Sequence, residues 1–205
     1  MSPDSPAVEG LSPRSVSLER VTRETRVSLE LNLDGAGQVS VTTGVGFLDH
    51  LLTALAMHAR FDLTLRCEGD THIDDHHTAE DCALTLGEAL LRALGDKRGI
   101  TRFGTGHAPL DEALARAVVD LSGRPLPVIH LDLKRESIGQ LACENMTHVL
   151  QSLAIAGRMA LHVDVLRGDN DHHKVEAAFK ATALALREAV RRDGSAFLPS
   201  TKGSL

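Results

Sequence analysis

The sequence predicts an α+β fold made of an internally duplicated unit, with a β-sheet and two helices in each half. The pattern Asp75-His76-His77-x-x-Glu80 returns as Asp171-His172-His173-x-x-Glu176, 96 positions later. The order of strands, helix, strand and loop that precedes the first copy also precedes the second. Because both copies occupy matching places, we expect two fused halves packed around a shared core.

Residues 15–95 form the predicted first half. Apolar residues alternate over 16–21, 26–33 and 38–42, which predicts three strands. Helical spacing of apolar residues begins at Phe47 and indicates a helix. A strand over 61–67 follows, and the first His-His pair opens a helix that runs to about Leu94.

Residues 96–198 form the predicted second half. The glycine-containing stretch 95–106 is interpreted as a connector. Strands are predicted over 113–121 and 126–133, a helix over 145–157 and a strand over 159–166. The second His-His pair opens a helix that runs to about Arg191. Residues 1–14, with three Pro and three Ser, are predicted to form a disordered tail, and residues 199–205 a C-terminal tail.

Composition narrows the class of protein. The net charge is −6 with neutral histidines and there is no long basic run, which argues against nucleic acid as a partner. No apolar run approaches the length of a membrane span, so no membrane partner is expected. The three cysteines are Cys67, Cys82 and Cys143. Their odd number and scattered positions favour reduced thiols and a cytoplasmic protein.

The repeated pattern predicts metal ligands. Residues i and i+4 lie on one face of a helix, so His76 and Glu80 can bind one ion together, and the same holds for their counterparts in the second copy. Adjacent helical residues point about 100° apart. His77 and His173 should therefore face elsewhere, most simply toward a second ion.

Two flanking histidines extend this set, since His50 and His148 lie in the helices that precede the two motifs. Six histidines and two glutamates shared by two ions would give each ion three histidines and one glutamate, and would leave open positions on an octahedral ion. Zn, Fe, Ni and Mn all accept such ligands. His58 lies two turns beyond His50 on the same predicted helix. Two interpretations stay open: its side chain faces the same metal site, or it points elsewhere. Four nearby aspartates could accept the second ring N–H of a ligand histidine: Asp49, Asp74, Asp75 and Asp171. For Asp75 and Asp171, helix capping is an equal alternative.

Longer motifs surround these residues and resemble the imidazoleglycerol-phosphate dehydratase family over about residues 15–205. The resemblance is carried by Arg23-Glu24-Thr25, Gly46-Phe47-Leu48-Asp49-His50, Gly69-Asp70-x-His72-Ile73-Asp74-Asp75-His76-His77-Thr78-x-Glu80-Asp81, Asp120-Leu121-Ser122-Gly123-Arg124-Pro125, Asn170-Asp171-His172-His173-x-x-Glu176 and Ser200-Thr201-Lys202-Gly203. It implies the fold of ribosomal protein S5 domain 2, with helices packed between two sheets. It also implies two Mn²⁺ ions per active site and a homo-24-mer with sites between subunits.

The implied reaction is the dehydration of imidazole glycerol phosphate to imidazole acetol phosphate, in histidine biosynthesis. The proton to be removed lies on the carbon attached to the ring, and a ring bound as imidazolate between two cations would take up the electrons. By resemblance, Glu24 is the base, although a solvated charge beside a strand is its other interpretation. The resemblance also implies a phosphate-contacting tail over 199–205. The residues that it implies for substrate binding are Glu24, His50, His58, Arg102, Arg124, Lys180, Ser200 and Lys202.

Two other functions fit a dinuclear metal site. A metal hydrolase would use a metal-bound hydroxide on a phosphate ester or amide. A metal-storing oligomer would need neither Glu24 nor the set of Arg102, Arg124 and Lys202. Hydrolysis would release phosphate, whereas dehydration would retain it and generate a ketone.

Overall fold

The computed structural model describes residues 13–203. In its first half, four strands form one sheet in the order β1-β2-β4-β3. β3 runs parallel to β4, and the other pairs are antiparallel. The elements of this half are β1 (Ser15–Val21), β2 (Thr25–Asn32), β3 (Val39–Thr42), α1 (Gly46–Ala59), β4 (Asp62–Gly69) and α2 (His76–Leu94).

The second half repeats this topology. Its main sheet has the order β5-β6-β10-β7, with β7 parallel to β10 and the other pairs antiparallel. The duplicated α+β unit is thereby confirmed. The elements of this half are β5 (Phe103–Leu110), β6 (Ala113–Asp120), β7 (Leu126–His130), β8 (Ser137–Ile138), β9 (Leu141–Ala142), α3 (Cys143–Ala156), β10 (Ala160–Arg167) and α4 (Asp171–Ala189).

The helices lie between the two sheets. α1 and α2 pack on the first sheet, α3 and α4 pack on the second, and the halves meet where α2 contacts α3 and α1 contacts α4. Strand alternation sets the buried side: Val27, Leu29 and Leu31 of β2 are buried, whereas the residues between them are exposed or half-buried. No helix within residues 13–203 is long and apolar enough to cross a membrane.

Both motif helices begin at the repeated pattern, as predicted. α2 starts at His76, and α4 starts at Asp171, where the side chain of Asn170 accepts a hydrogen bond from the His172 N–H. The tail predicted over residues 1–14 lies largely outside the described residues. Its last residue, Arg14, is buried and pairs with Asp34, so the ordered chain begins before residue 15.

The sequence interpretation of 95–106 as a connector is wrong in its second part, because β5 begins at Phe103. Gly104 and Gly106 caused this error, since glycine weakens a strand and usually indicates a loop. Here they allow close helix packing. A Cβ on Gly104 would lie 1.9 Å from the Ala185 carbonyl oxygen, and one on Gly106 would lie 2.1 Å from that of Ala181.

The predicted strand over 126–133 is too long, because β7 ends at His130. The chain then forms a connection over 131–142 that includes the small β8–β9 hairpin. The first half joins the corresponding elements β3 and α1 through residues 43–45 alone. Both repeated aspartates hold this connection: Asp75 accepts the Ala142 N–H at 2.7 Å, and Asp171 accepts those of Lys134 and Arg135 at 2.8 and 2.7 Å.

Replacing Gly104 by Ala should destabilise the protein by about 3 kcal/mol, because the added methyl group must displace α4 from β5. The measurement is urea unfolding of the metal-free chain, with unchanged dependence on urea concentration. Gly46→Ala is the matched control. Gly46 lies in a helix with nothing within 4 Å of an added Cβ, so this variant should be no less stable than the parent. Equal stability of the Gly104 variant and the parent would contradict the packing argument.

Candidate functional site

Six of the eight predicted ligands lie in two groups of three, and the ligand atoms of each group lie within 4.8 Å of one another. Group A consists of His50, His172 and Glu176. The Glu176 Oε2 atom lies 2.8 Å from Nε2 of His50 and 3.2 Å from Nε2 of His172. Phe47 contacts both imidazoles, with ring centroids 5.8 Å and 5.0 Å away.

Group B consists of His76, Glu80 and His148. His148 Nε2 lies 3.1 Å from Glu80 Oε1, and His76 Nε2 lies 4.0 Å from Glu80 Oε2. The two imidazoles stack, with centroids 4.9 Å apart. The Asn145 side-chain oxygen lies 2.9 Å from Nδ1 of His76. This contact places the proton on Nδ1 and leaves the Nε2 lone pair of His76 for a ligand.

Packing between the halves creates both groups. The His and Glu at i and i+4 come from α2 or α4, and the third member comes from a helix of the other half. The α1–α4 contact brings His50 to group A, and the α2–α3 contact brings His148 to group B. Neither half of the described chain contains a complete group.

His77 and His173 lie outside both groups. The rings of His76 and His77 are 6.0 Å apart with their planes at 78°, and those of His172 and His173 are 6.0 Å apart at 87°. The adjacent histidines therefore diverge, as helical geometry predicts. Within one chain, however, they do not bring two ions together in the way that the simplest sequence argument expected.

His77 is held between two carboxylates. Nδ1 lies 3.0 Å from Asp70, and Nε2 lies 3.7 Å from Glu24, in the turn between β1 and β2. The hydrogen bond with Asp70 is the main reason why the pKa of His77 is raised. The side-chain oxygen of Thr22 accepts the Glu24 N–H at 3.1 Å, and the Glu24 carbonyl accepts the Asp70 N–H at 3.1 Å, which fixes the backbone of this turn.

His173 has a corresponding environment in the second half. Nδ1 lies 2.7 Å from Glu112, and Nε2 lies 3.6 Å from Asp111, in the turn between β5 and β6. The hydrogen bond with Glu112 raises the pKa of His173. Backbone N–H groups, with Asn170 first, and the His173 ring lower the pKa of Glu112 to about 2. Asp111 is thus the counterpart of Glu24.

Glu176 is ionised in group A. Its burial alone would raise its pKa, but hydrogen bonds from Lys180 at 2.6 Å and from His50 lower that pKa to about 2. His58 belongs to the same neighbourhood, because its pKa is lowered first by burial and then by the charge of Lys180, while Glu176 opposes the shift. The predicted residue Lys180 therefore contacts group A directly through Glu176, and the predicted residue His58 lies within the electrostatic influence of both.

The aspartates named from the sequence as partners of the ligand histidines bind backbone and other side chains instead. Asp49 accepts hydrogen bonds from Thr43, and Asp74 accepts the His76 N–H. Asp75 and Asp171 hold the 131–142 connection. The Nδ1 atoms of His77, His173 and His76 are instead contacted by the side chains of Asp70, Glu112 and Asn145, respectively. Asp70 lies in the same sequence motif as His77, seven residues before it, whereas Asn145 and Glu112 meet their histidines only through tertiary folding.

The predicted phosphate contacts lie around the start of β5. Arg102 donates to both carboxylate oxygens of Asp120, at 2.7 and 3.1 Å, and to the Pro199 carbonyl at 2.5 Å. This last bond brings the segment with Ser200 and Lys202 to Arg102. The Arg102 carbonyl accepts the Leu121 N–H at 3.2 Å, immediately before the Ser122–Arg124 turn. We call residues 97–102, 120–124 and 199–202 the basic cluster.

The carboxylate contacts of the two outlying histidines predict a reciprocal pattern in titrations of the metal-free protein. Asp70→Asn should lower the pKa of His77 toward its ordinary value and leave that of His173 unchanged, because the amide supplies no negative charge. Glu112→Gln should do the reverse. NMR titration of labelled histidines measures both. A common shift of both histidines in either variant would contradict the assignment of one carboxylate to each ring.

Comparison of the sequence with known proteins identifies the family that it matches. Residues 43–186 match the family model described as imidazoleglycerol-phosphate dehydratase. A relative of that name from Phytophthora nicotianae is 59% identical over 201 residues, which are 98% of this chain but 44% of the relative, so the chain spans less than half of that longer protein. One from Candida glabrata is 55% identical over 92% of this chain and 98% of its own length.

A solved structure agrees with the sequence comparisons. The crystal structure of imidazoleglycerol-phosphate dehydratase from Staphylococcus aureus superposes with a TM-score of 0.76 at 35% identity, over 87% of this chain and 99% of that one. The family model alone covers well over half of the residues. The chain belongs to the imidazoleglycerol-phosphate dehydratase family.

Proposed function

We propose that the chain catalyses the reaction of its family as a manganese-dependent hydro-lyase, and converts imidazole glycerol phosphate to imidazole acetol phosphate in histidine biosynthesis. The observation that carries this proposal is the pair of matching histidine–glutamate groups, together with the Glu24 carboxylate beside His77. Family membership favours dehydration over the hydrolase and storage alternatives.

The donor set of groups A and B fits a divalent cation. It consists of imidazole nitrogens and carboxylate oxygens without a thiolate, which suits Mn²⁺ among other ions. His50, His172 and Glu176 would hold one ion, and His76, Glu80 and His148 another. Such ions would supply Lewis acidity and orient the substrate ring. Asn145 supports a donor of group B, because it fixes the His76 ring through Nδ1. Asp70 and Glu112 fix the rings of the outlying His77 and His173 in the same way.

Glu24 is the proposed base. Its side chain is half exposed, and its turn is held by Thr22 and Asp70. The carboxylate would take the proton from the carbon attached to the ring. Loss of the neighbouring hydroxyl as water then gives an enol, which tautomerises to the ketone.

The basic cluster is the proposed phosphate site. A guanidinium has five N–H donors, and Arg102 uses three of them for Asp120 and Pro199. Two donors are left for an anion. Arg124 is exposed in the Ser122 turn that follows β6. Lys202 is exposed on the C-terminal segment that Arg102 binds through Pro199. Arginine forks suit phosphate geometry.

The distance along α4 supports sites shared between subunits of the proposed homo-24-mer. Group A lies at the start of α4, whereas the Arg102 N–H donates to the Ala189 carbonyl at its end. From His172 to Ala189 the helix rises about 25 Å, at 1.5 Å per residue. A small substrate whose ring and phosphate are joined by a short glycerol chain cannot reach both ends, so the ring and phosphate sites that it occupies would come from different chains.

A cytoplasmic location is the remaining proposal. All three cysteines are unpaired and buried, which suits a reducing compartment. This argument concerns the state of the thiols alone and is independent of the proposed reaction.

Incubation of the Mn²⁺-loaded protein with imidazole glycerol phosphate tests the proposed function. We expect an enolisable ketone to appear without release of inorganic phosphate, and a chelator to abolish its formation. Release of phosphate would instead indicate the hydrolase. Metal binding without any turnover would favour the storage protein.

Replacement of Glu24 by Gln should lower kcat by about 10²–10⁴-fold, because the amide cannot accept the proton. Bound manganese and the apparent affinity for substrate should change little. Steady-state kinetics and metal analysis of the loaded protein measure these quantities. The matched control is Glu30→Gln, an exposed residue of β2. Turnover at the parent rate in the Glu24 variant would exclude this residue as the base.

A further inference from the structure

Lys97 is a buried lysine in the loop between α2 and β5. Its exposed fraction is 3%, and its Nζ atom donates a hydrogen bond to the Leu121 carbonyl at 3.1 Å. Burial lowers the pKa of Lys97, and the nearby charges of Arg102 and Arg158 lower it further while Asp120 opposes them. None of the catalytic steps above uses this ammonium group.

The backbone of Lys97 has an unusual conformation. Its φ is 61°, in the left-handed region that residues with a Cβ rarely adopt. A residue keeps such a strained backbone conformation only where other contacts hold it in place, and such residues often serve a function. For Lys97 the holding contact is the hydrogen bond from its buried ammonium group to the Leu121 carbonyl.

Leu121 is the junction that this ammonium holds. Its side chain is fully buried, its N–H donates to the Arg102 carbonyl at 3.2 Å, and its own carbonyl accepts from Lys97. Both backbone polar groups of Leu121 are therefore bound to the 97–102 loop. The chain then enters the Ser122 turn, where the Ser122 hydroxyl accepts the Arg124 N–H at 3.3 Å.

The same loop is tied to the C-terminal segment. Arg102 connects Asp120, the last residue of β6, with the Pro199 carbonyl. All three parts of the basic cluster therefore meet at the ends of β5 and β6. Lys97 is the buried cation at this meeting point, and its bond fixes the place where the chain leaves β6 toward Arg124.

We propose that Lys97 is a positioning residue for phosphate binding: its ammonium fixes the Leu121 carbonyl, and thereby sets Arg124 and Arg102 in the relative positions that receive the phosphate group of the substrate. This inference rests on the proposed function. A buried carbonyl that loses its donor shifts or takes up water, so the turn that follows it would lose its fixed direction. The effect should therefore concern the phosphate end of the substrate and spare the ring end.

The test uses Lys97→Met in the intact, manganese-loaded assembly. Methionine fills the buried volume without donating a hydrogen bond. KM should rise by about tenfold, the order expected for one buried hydrogen bond, while kcat changes by less than about twofold. Inorganic phosphate should become a weaker competitive inhibitor by a similar factor. Inhibition by imidazole, which has no phosphate, should be unchanged, as should bound manganese.

Two further variants separate charge from positioning. Lys97→Gln keeps an N–H donor without the charge and should restore most of the affinity. Arg92→Met removes an exposed cation from the last turn of α2, outside the basic cluster, and should leave KM within about twofold, because its exposed ion pair with Glu88 contributes little. Should Lys97→Met fail to fold, Lys97→Ala is measured in its place, since water can enter the space and bind the Leu121 carbonyl.

An unchanged KM in the Met or Ala variant would overturn the role of Lys97, and so would equal weakening of phosphate and imidazole. A loss in Lys97→Gln as large as that in Lys97→Met would replace positioning by a direct effect of charge. Absence of turnover in the parent protein would contradict the proposed function itself, and is thereby distinguished from failure of the Lys97 inference.

Discussion

Two helix–helix contacts between the halves, α1 with α4 and α2 with α3, assemble the candidate metal groups. Each motif helix supplies a histidine and a glutamate, and the facing helix of the other half supplies the third member. A half that folded alone would carry two ligands on a helix surface without the third. Packing of an apolar core and formation of the site are thus the same event, because displacement of α1 from α4 would separate His50 from Glu176.

The two halves resemble each other more closely in their metal-ligand residues than in the residues and connections around them. The turn carboxylates Glu24 and Asp111 take matching positions, 3.7 and 3.6 Å from Nε2 of the outlying histidines. The Nδ1 partners differ in origin, since Asp70 precedes the helix of its histidine and Glu112 comes from a turn between strands. The halves differ most in the 131–142 connection, which the second half alone contains. The two repeated aspartates hold opposite ends of it, so one inserted segment links the starts of both motif helices.

Features that depend on local spacing could be predicted from the sequence. The starts of α2 and α4, the i, i+4 pairs and the divergence of adjacent histidines follow from helical geometry. Features that depend on distant contacts could not. Gly104 and Gly106 resemble a connector until α4 is placed against them, and Asn145 or Glu112 meet a ligand ring only after folding. The pairing of His50 with the second motif required knowledge of which helices cross the boundary between halves.

The separation of charge within one chain constrains how copies must associate under the proposed function. The carboxylate-rich ends of α2 and α4 carry the histidines, whereas the basic cluster lies at the far end of α4. A site that joins one chain's histidines to another chain's arginines brings together two different surfaces. Repeated heterologous contacts form a closed ring if the rotation between copies closes, and an open filament if it does not. In a closed symmetric assembly every copy makes both contacts. Under the proposed function each subunit would take part in at least two sites, so a change at Lys97 would act on a substrate whose ring is held by a neighbouring subunit.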